Sequence, residues 1–435
     1  MSSSTRPLVA AAVSGTAPRS GVRWRIFGIV FLLVALNLVD RTALSIAMPT
    51  IAGEFQLSPT LQGVLLSAFF WSYAALQIPG GWLIDRFGPR RLVTGATVLW
   101  GLFQTLAALA TGGVTLLLTR VGLGAAEAPL FPSGAKLSAN WLAPGERGRG
   151  AVLMDSGAPL GAAFGGVVIA SLILVFDSWR TAFLVAGLAT VAVGVVAWRY
   201  LRDDPAVHPG VNAAELAHIR GGDAAVQAAD AVLLPPRIAP RSMAGLLVGR
   251  MGWAMINFGL LTWGPSYLVQ ARHFDLKQIG YSTFVIFLSG TAGSLFAGFS
   301  ADALITRGFA RAAVYKLMLA LSGFATLISF LVLPQVSDPV AAIAVLSATL
   351  FFLYWGSLYW SLPALLAPRD TIGLVGGVMN CAGSVGGIAV PIVTGAILQT
   401  TGAYGAVLGF FAVCAGFYVL GTLVIAFPAR ATAAR

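Results

Sequence analysis

The chain has 435 residues, of which 57% are apolar and only 10% charged, with a formal net charge of +11. A soluble domain carries about 25% charged residues, so this composition excludes a single water-soluble core and points to an integral membrane protein. The basic excess does not mark a nucleic-acid binder, because no basic patch is interleaved with aromatics on a soluble domain.

Helices and closed barrels are the structures that satisfy a backbone in lipid. The apolar runs here are continuous, whereas barrel strands alternate, so the fold class is all-α. Residues 1–25 are polar, rich in Ser and Ala and free of acids. Their LVAAAV run is shorter than the about 7–15 apolar residues of a signal peptide, and a disordered cytoplasmic tail is expected. A span needs about 20 mainly apolar residues. Twelve are expected, at 26–48, 61–84, 92–111, 114–137, 150–175, 180–200, 244–270, 279–303, 312–333, 340–365, 372–398 and 404–427. The polar stretch 202–240 is read as a cytoplasmic linker. It divides a first six-helix half, 26–201, from a second, 241–428, with a short tail at 429–435. Lys and Arg crowd the loops on the tail side, while the opposite loops hold only Arg180, Arg272 and Lys277. That bias puts both termini in the cytoplasm.

Charges inside the spans carry the functional reading. A charge at the bilayer centre costs about 2.5–3.5 kcal/mol on insertion scales and usually marks a substrate or ion path. The first span holds Asp40 next to Arg41, and the fourth holds Arg120 and Glu127. The latter two are seven residues apart and so share one helix face. Guanidinium offers a planar fork that matches a carboxylate, which makes Arg41 the expected substrate anchor. His208, His218 and His273 all lie in loops, so proton chemistry in the membrane falls to carboxylates, with Asp40 and Glu127 as the expected proton sites and Arg120 as their charge partner. With both acids ionised, the two arginines are balanced. With both protonated, the cavity is left at +2 and favours an anion, so proton and anion binding assist each other. Arg250, near the start of the seventh span, is read as snorkelling to the interface, and Asp155, early in the fifth, either as a residue of the cytoplasmic mouth of the cavity or as simply solvated there. Tyr73 and Gln77, Ser357 and Trp360, and Asn380 and Ser384 are spaced to share helix faces. Gly157, Gly161 and Gly165 form a small-residue seam for close helix packing. Cys381 and Cys414 read as packing residues. With no nucleophile–base set, metal cluster or phosphate loop, the chain does not read as an enzyme, and no cofactor beyond coupling protons is expected.

One motif echoes between the halves. Gly81-Trp-Leu-Ile-Asp85-Arg86-Phe-Gly88-Pro-Arg90-Arg91 follows the second span, and Gly298-Phe-Ser-Ala-Asp302, then Arg307-Gly308, follows the eighth. Gly81 is expected to let a neighbouring helix approach, and Asp85 to cap a facing helix N-terminus. The first copy resembles the signature of the major facilitator superfamily, and the second is degraded, with Ala303 where the Arg would be. Asn37-Leu38-Val39-Asp40-Arg41 is similar to the N-Y-x-D-R pattern of that superfamily's anion:cation symporters. Arg120-Val-Gly-Leu-Gly-Ala-Ala-Glu127-Ala-Pro, Gln77-Ile-Pro-Gly-Gly, Thr262-Trp-Gly-Pro-Ser-Tyr267, Gly377-Val-Met-Asn380 and the linker stretch HPGVNAAELAHI resemble the same family. The resemblance implies a twelve-helix facilitator fold, a gating role for Gly81, Asp85, Arg86, Gly88 and Arg90, and substrate contacts at Tyr73, Ser357, Trp360 and Asn380. The family's tyrosine is Leu38 here, which removes one hydroxyl contact and brings less hydroxylated acids into competition with sugar acids. In the fifth span Pro159 follows Ala158, which breaks the Gly-Pro signature of the antiporters.

The expected function is proton-coupled import of an organic carboxylate, a sugar acid or small dicarboxylate, by a monomer in the inner membrane of a bacterium. Proton-independent exchange or uniport, and proton antiport exporting a drug or metabolite, are the competing readings.

Overall fold

The computed structural model describes residues 18–143, 146–220, 238–367 and 371–427. The expected tails up to residue 17 and from 428, linker residues 221–237, and Arg369 lie outside the described residues. The first half holds α1 (Val22–Phe55), α2 (Pro59–Phe87), α3 (Pro89–Ala107), α4 (Gly113–Glu127), α5 (Leu130–Trp141), α6 (Arg147–Phe176) and α7 (Trp179–Tyr200). The second holds α8 (Pro240–Arg272), α9 (Leu276–Thr306), α10 (Arg311–Val332), α11 (Pro339–Leu353), α12 (Pro363–Leu366), α13 (Ile372–Thr401) and α14 (Tyr404–Val424).

Among the described residues, 11 of the expected spans are helices long and apolar enough to cross a membrane. The third expected span is α3, which buries Thr94, Thr97 and Gln104 on its inner face and is correspondingly less apolar. Two expected spans are broken. The fourth stops at Glu127 and resumes at Leu130, because Pro129 lacks an N–H and its ring crowds the carbonyl four residues earlier. The tenth passes from α11 into a 3-10 turn over Tyr354–Ser361.

The glycine seam of α6 lies on α1. A Cβ on Gly157, Gly161 or Gly165 would fall 2.8 Å from the Phe31 carbonyl, 2.1 Å from that of Ala35 and 2.2 Å from the Thr42 hydroxyl. The two helices therefore touch along α1 from Phe31 to Thr42, the stretch that carries Asp40 and Arg41, which fixes the rotation of α1 about its axis.

The halves meet at the end of the bundle remote from the termini. A Cβ on Gly63 of α2 would sit 2.4 Å from the Pro391 carbonyl of α13, and one on Gly395 of α13 would sit 2.4 Å from that of Pro59. Gly166 of α6 is likewise pressed on Thr283 of α9. At the terminus-bearing end, α5 packs on α1, α2, α3 and α6 of its own half, and Gly298, Gly376 and Gly377 face open space. Among the described residues, the closest backbone approaches between the halves are therefore at the remote end. Gly63→Val or Gly395→Val places a side chain against backbone that cannot rotate away. Spin labels at Thr111 and Ser337, in a cysteine-free background, should report a longer mean distance across the remote end in either variant. An unchanged distance distribution would show that these close approaches do not hold that end shut.

The motif after α2 does not act as its spacing suggests. A Cβ built on Gly81 would meet nothing within 4 Å among the described residues, so no close helix approach rests on it here. Among the described residues Asp85 caps no helix. It pairs with Lys136 of α5 at 2.8 Å, and both side chains are exposed. The capping carboxylate is Asp203, which accepts from the Arg90 backbone N–H at 2.7 Å, where the N-terminal dipole of α3 favours a negative charge. Gly88 makes the turn with φ +84, and a Cβ there would be 2.7 Å from the Asp203 carboxylate. The Arg90 guanidinium donates to the Trp198 carbonyl at 2.8 Å, and Arg86 stacks over Trp82 and Phe87.

The first part of the expected linker is folded onto the first half. Glu215, in a helical stretch over 213–220, is fully buried. It accepts from the Val22 and Arg23 backbone N–H groups at 3.1 Å each, from Arg23 Nη1 at 2.9 Å and from the Ser20 hydroxyl. Burial pushes its pKa up, but the bonds from Ser20 and Arg23 outweigh that and hold it below the usual glutamate range. Glu215 thus caps α1, which begins at Val22 rather than at 26.

Candidate functional site

A cavity of about 150 Å³ lies between the halves. From the first half it is lined by Leu38 and Arg41 of α1, Phe70 and Tyr73 of α2, and Asp155, Ala158 and Pro159 of α6. From the second come Arg250, Trp253, Asn257 and Leu261, one stripe of α8, with Asn380, Gly383 and Ser384 of α13. Tyr354, Ser357 and Trp360 complete the wall. They are three apart in the 3-10 turn, where side chains at i and i+3 eclipse, so the break in this span aligns all three on the cavity. Trp253 holds the turn by donating from Nε1 to the Leu353 carbonyl at 2.6 Å. Its ring occupies the space where a side chain on Gly356 would stand, 2.3 Å from a built Cβ.

Arg41 is the centre of the first wall. Its Cζ lies 4.2 Å from the Phe69 ring centroid and 4.7 Å from that of Tyr73. Its Nε donates to Glu127 Oε2 at 2.9 Å, and its buried Nη2 has no hydrogen-bond partner among the described residues. Glu127 is fully buried at the last residue of α4, directly before the break at Pro129. Gly124 lets α4 press on the α2 backbone at this level, since a Cβ there would fall 2.0 Å from the Phe69 carbonyl. Arg120 turns aside and donates from Nη1 to Gln104 at 3.2 Å. A smaller space of about 20 Å³ shares Arg41, Phe70 and Leu261 with the cavity and reaches Arg120.

Asp40 points elsewhere. Consecutive helix residues differ by about 100° in direction, so with Arg41 on the cavity Asp40 faces the interior of its own half. There it accepts from Trp100 Nε1 at 3.2 Å and from the Thr190 hydroxyl at 3.0 Å. On the opposite wall Arg250 lies 4.1 Å above the Trp253 ring and 5.0 Å from that of Trp360. Asn380 bridges the halves by donating to Gln77 at 2.8 Å. Ser357 accepts a long bond, 3.4 Å, from Ser294. Among the described residues no cluster of His, Cys, Asp or Glu is placed to hold a metal ion. The arrangement can seat an anion: guanidinium edges face a small aromatic space in which charges are screened far less than in water.

The profile of the Major Facilitator Superfamily matches residues 30–391. The chain belongs to this superfamily. It is 31% identical over 407 residues to “Probable galactarate/D-glucarate transporter GarP” of Escherichia coli (strain K12), covering 89% of this chain and 91% of that one. It is 33% identical to “Probable sulfoacetate transporter SauU” of Cupriavidus necator, covering 92% of this chain and 94% of the relative. The D-galactonate transporter of Escherichia coli O6:H1 is 31% identical over 86% and 88% of the two chains. Among solved structures, a bacterial homologue of the human lysosomal transporter Spinster superposes with a TM-score of 0.69 at 17% identity, over 94% of this chain and 98% of that one. The fold is therefore the facilitator fold, and the protein is a multi-pass membrane transporter rather than an enzyme.

In this facilitator the five expected substrate contacts, Arg41, Tyr73, Ser357, Trp360 and Asn380, all face one cavity. Glu127 reaches it through Arg41, and not through Arg120, its partner by spacing. Asp40 does not face it. Arg250 and Tyr354 line the cavity too, although no site role was expected of either. Arg250 does not snorkel: α8 begins at Pro240, which puts Arg250 about 15 Å into the helix at about 1.5 Å per residue, and only 7% of it is exposed. The Pro240 start was the available signal, since proline favours the first helical turn. Asp155 lines the wall and is half-buried. Tyr354 gave no signal, because its alignment with Ser357 and Trp360 depends on the local 3-10 winding.

Proposed function

We propose that this facilitator imports an organic carboxylate together with protons across a bacterial inner membrane, as a monomer with both termini in the cytoplasm. The concentration of Lys and Arg on the tail side supports that orientation. The close approaches at Gly63 and Gly395 then lie on the side away from the cytoplasm. The relatives named for galactarate, D-glucarate, D-galactonate and sulfoacetate support an organic acid as the cargo. Leu38 on the cavity wall, where related symporters carry tyrosine, leaves room for acids with fewer hydroxyls.

The observation that carries the proposal is the single guanidinium shared by a buried acid and the cavity. Glu127 holds Arg41 by its Nε. While Glu127 is ionised it competes with a substrate carboxylate for that charge. Once protonated it releases the charge to the substrate. Proton and anion therefore favour each other's binding, and the linkage is reciprocal. Asp40 is a second proton site behind Glu127, with Arg120 balancing the charge of the two acids. Tyr73, Ser357, Trp360 and Asn380 orient the rest of the substrate, and rocking of the halves against each other moves the site between the two faces.

Proteoliposomes test the coupling. With the external pH lowered at constant substrate, uptake should rise, and a protonophore should abolish accumulation. Uptake indifferent to the proton gradient would leave exchange or uniport.

A further inference from the structure

A second guanidinium faces the cavity from the opposite half. We infer that Arg250 is a second anion anchor, and that the site is built for a dianion whose two acid groups bridge Arg41 of one half and Arg250 of the other. The inference rests on the reading that this cavity carries organic acids, and it names the class within them.

Arg250 has the properties of a group held for a ligand. Only 7% of it is exposed, and it stands ten residues into α8, which begins at Pro240. Among the described residues, its Nε and Nη1 are buried without any hydrogen-bond partner. A buried donor left unsatisfied costs about 1–3 kcal/mol, and more when it is charged, so a structural arginine would have acquired an acceptor. Its seat over Trp253 and Trp360 holds the guanidinium plane while leaving the polar edge free. Asp155, on the facing wall, acts on Arg250 electrostatically, but among the described residues no ion pair joins them.

The two anchors stand on walls that move relative to each other. A monoanion satisfies one guanidinium and leaves the other with only a distant counter-charge. A dianion supplies each with its own carboxylate and ties the halves together across the cavity, which favours closure around the loaded site. In the empty cavity Asp155 offsets Arg250 at a distance, as Glu127 offsets Arg41 in contact.

Two matched pairs of probes isolate the second charge: galactarate against galactonate, and succinate against succinamate. Each pair shares a skeleton and differs by one carboxylate. By calorimetric titration of the purified full-length protein, the wild type should bind the diacid of at least one pair about tenfold or more tighter than its partner, the order of one charge-assisted contact. Arg250→Gln should erase that preference by weakening the diacid and leaving the monoacid nearly unchanged. Asp155→Asn, which removes the competing charge, should strengthen the diacid. Thermal midpoints of the unliganded variants check the fold. If Arg250→Gln does not fold, Arg250→Lys carries the test, with a smaller loss confined to the diacid. Equal losses for both members of a pair, or an intact preference without Arg250, would overturn the inference. A wild type that binds the monoacid as tightly as the diacid overturns it too, yet leaves the carrier reading standing. A wild type that binds none of the four overturns both.

Discussion

Glu127→Gln is expected to abolish proton-driven accumulation while exchange of labelled for unlabelled substrate continues. Glutamine has nearly the shape of the acid and carries no charge, so the variant imitates the protonated state permanently. Arg41 loses the carboxylate now 2.9 Å from its Nε and is free to turn its charge to the cavity. Substrate affinity should therefore hold or rise at neutral pH and lose its dependence on pH, while uptake against a gradient falls to background. Asp40→Asn gives the comparison. Asp40 is bonded to Trp100 and Thr190 inside the first half, so its amide should leave affinity close to wild type and reduce coupling. Proteoliposome counterflow and accumulation, measured side by side across pH, separate the two. If Glu127→Gln accumulates substrate with the wild-type pH dependence, the coupling acid lies elsewhere and Asp155 is the next to replace.

Arg41→Lys should lower substrate affinity by about 1.5–3 kcal/mol, the range for a bond to a charged group, or roughly 10- to 150-fold. Lysine keeps the charge that Glu127 needs but lacks the second donor edge, so thermal stability should stay near wild type while binding drops. Arg41→Ala should lose both. It leaves Glu127 buried and unpaired, and breaking one side of a buried pair costs about 3–5 kcal/mol. Adding Glu127→Gln to Arg41→Ala removes the orphaned charge and should recover stability without recovering binding. That contrast assigns the affinity loss to the missing guanidinium and not to damage elsewhere. Wild-type affinity in both single variants would remove Arg41 from the site.

Much of this was legible in one dimension. Hydropathy and the central polar stretch placed the spans, because lipid demands long continuous apolar helices wherever the chain crosses. That Arg41, Tyr73, Ser357, Trp360 and Asn380 line one cavity was legible only as far as family motifs and polar residues at helical spacing inside apolar runs pointed to them. The glycine seam was legible as a spacing of four, and it does bring α6 onto α1. Less visible were the places where a helix stops being regular. The end of α4 at Glu127 and the 3-10 turn over Tyr354–Ser361 change which side chains share a face, and a uniform helical period cannot register either.

The sequence by itself determined the class of molecule, its twelve-helix plan in two halves and the stock of charges available to a membrane site. Only the tertiary structure decided how those charges pair. Arg120 and Glu127 share a helix face by spacing, yet Glu127 bonds Arg41 of α1 and Arg120 bonds Gln104 of α3. Asp40 and Arg41 are neighbours in the chain, yet they face different compartments. Arg250 reads as interfacial until the true start of α8 places it deep in the wall. In each case the decision rests on the rotation and depth of one helix against another. Those are set by backbone contacts at glycines such as Gly161 and Gly124, between residues far apart in sequence, and a pattern of spacings along one chain carries no record of them.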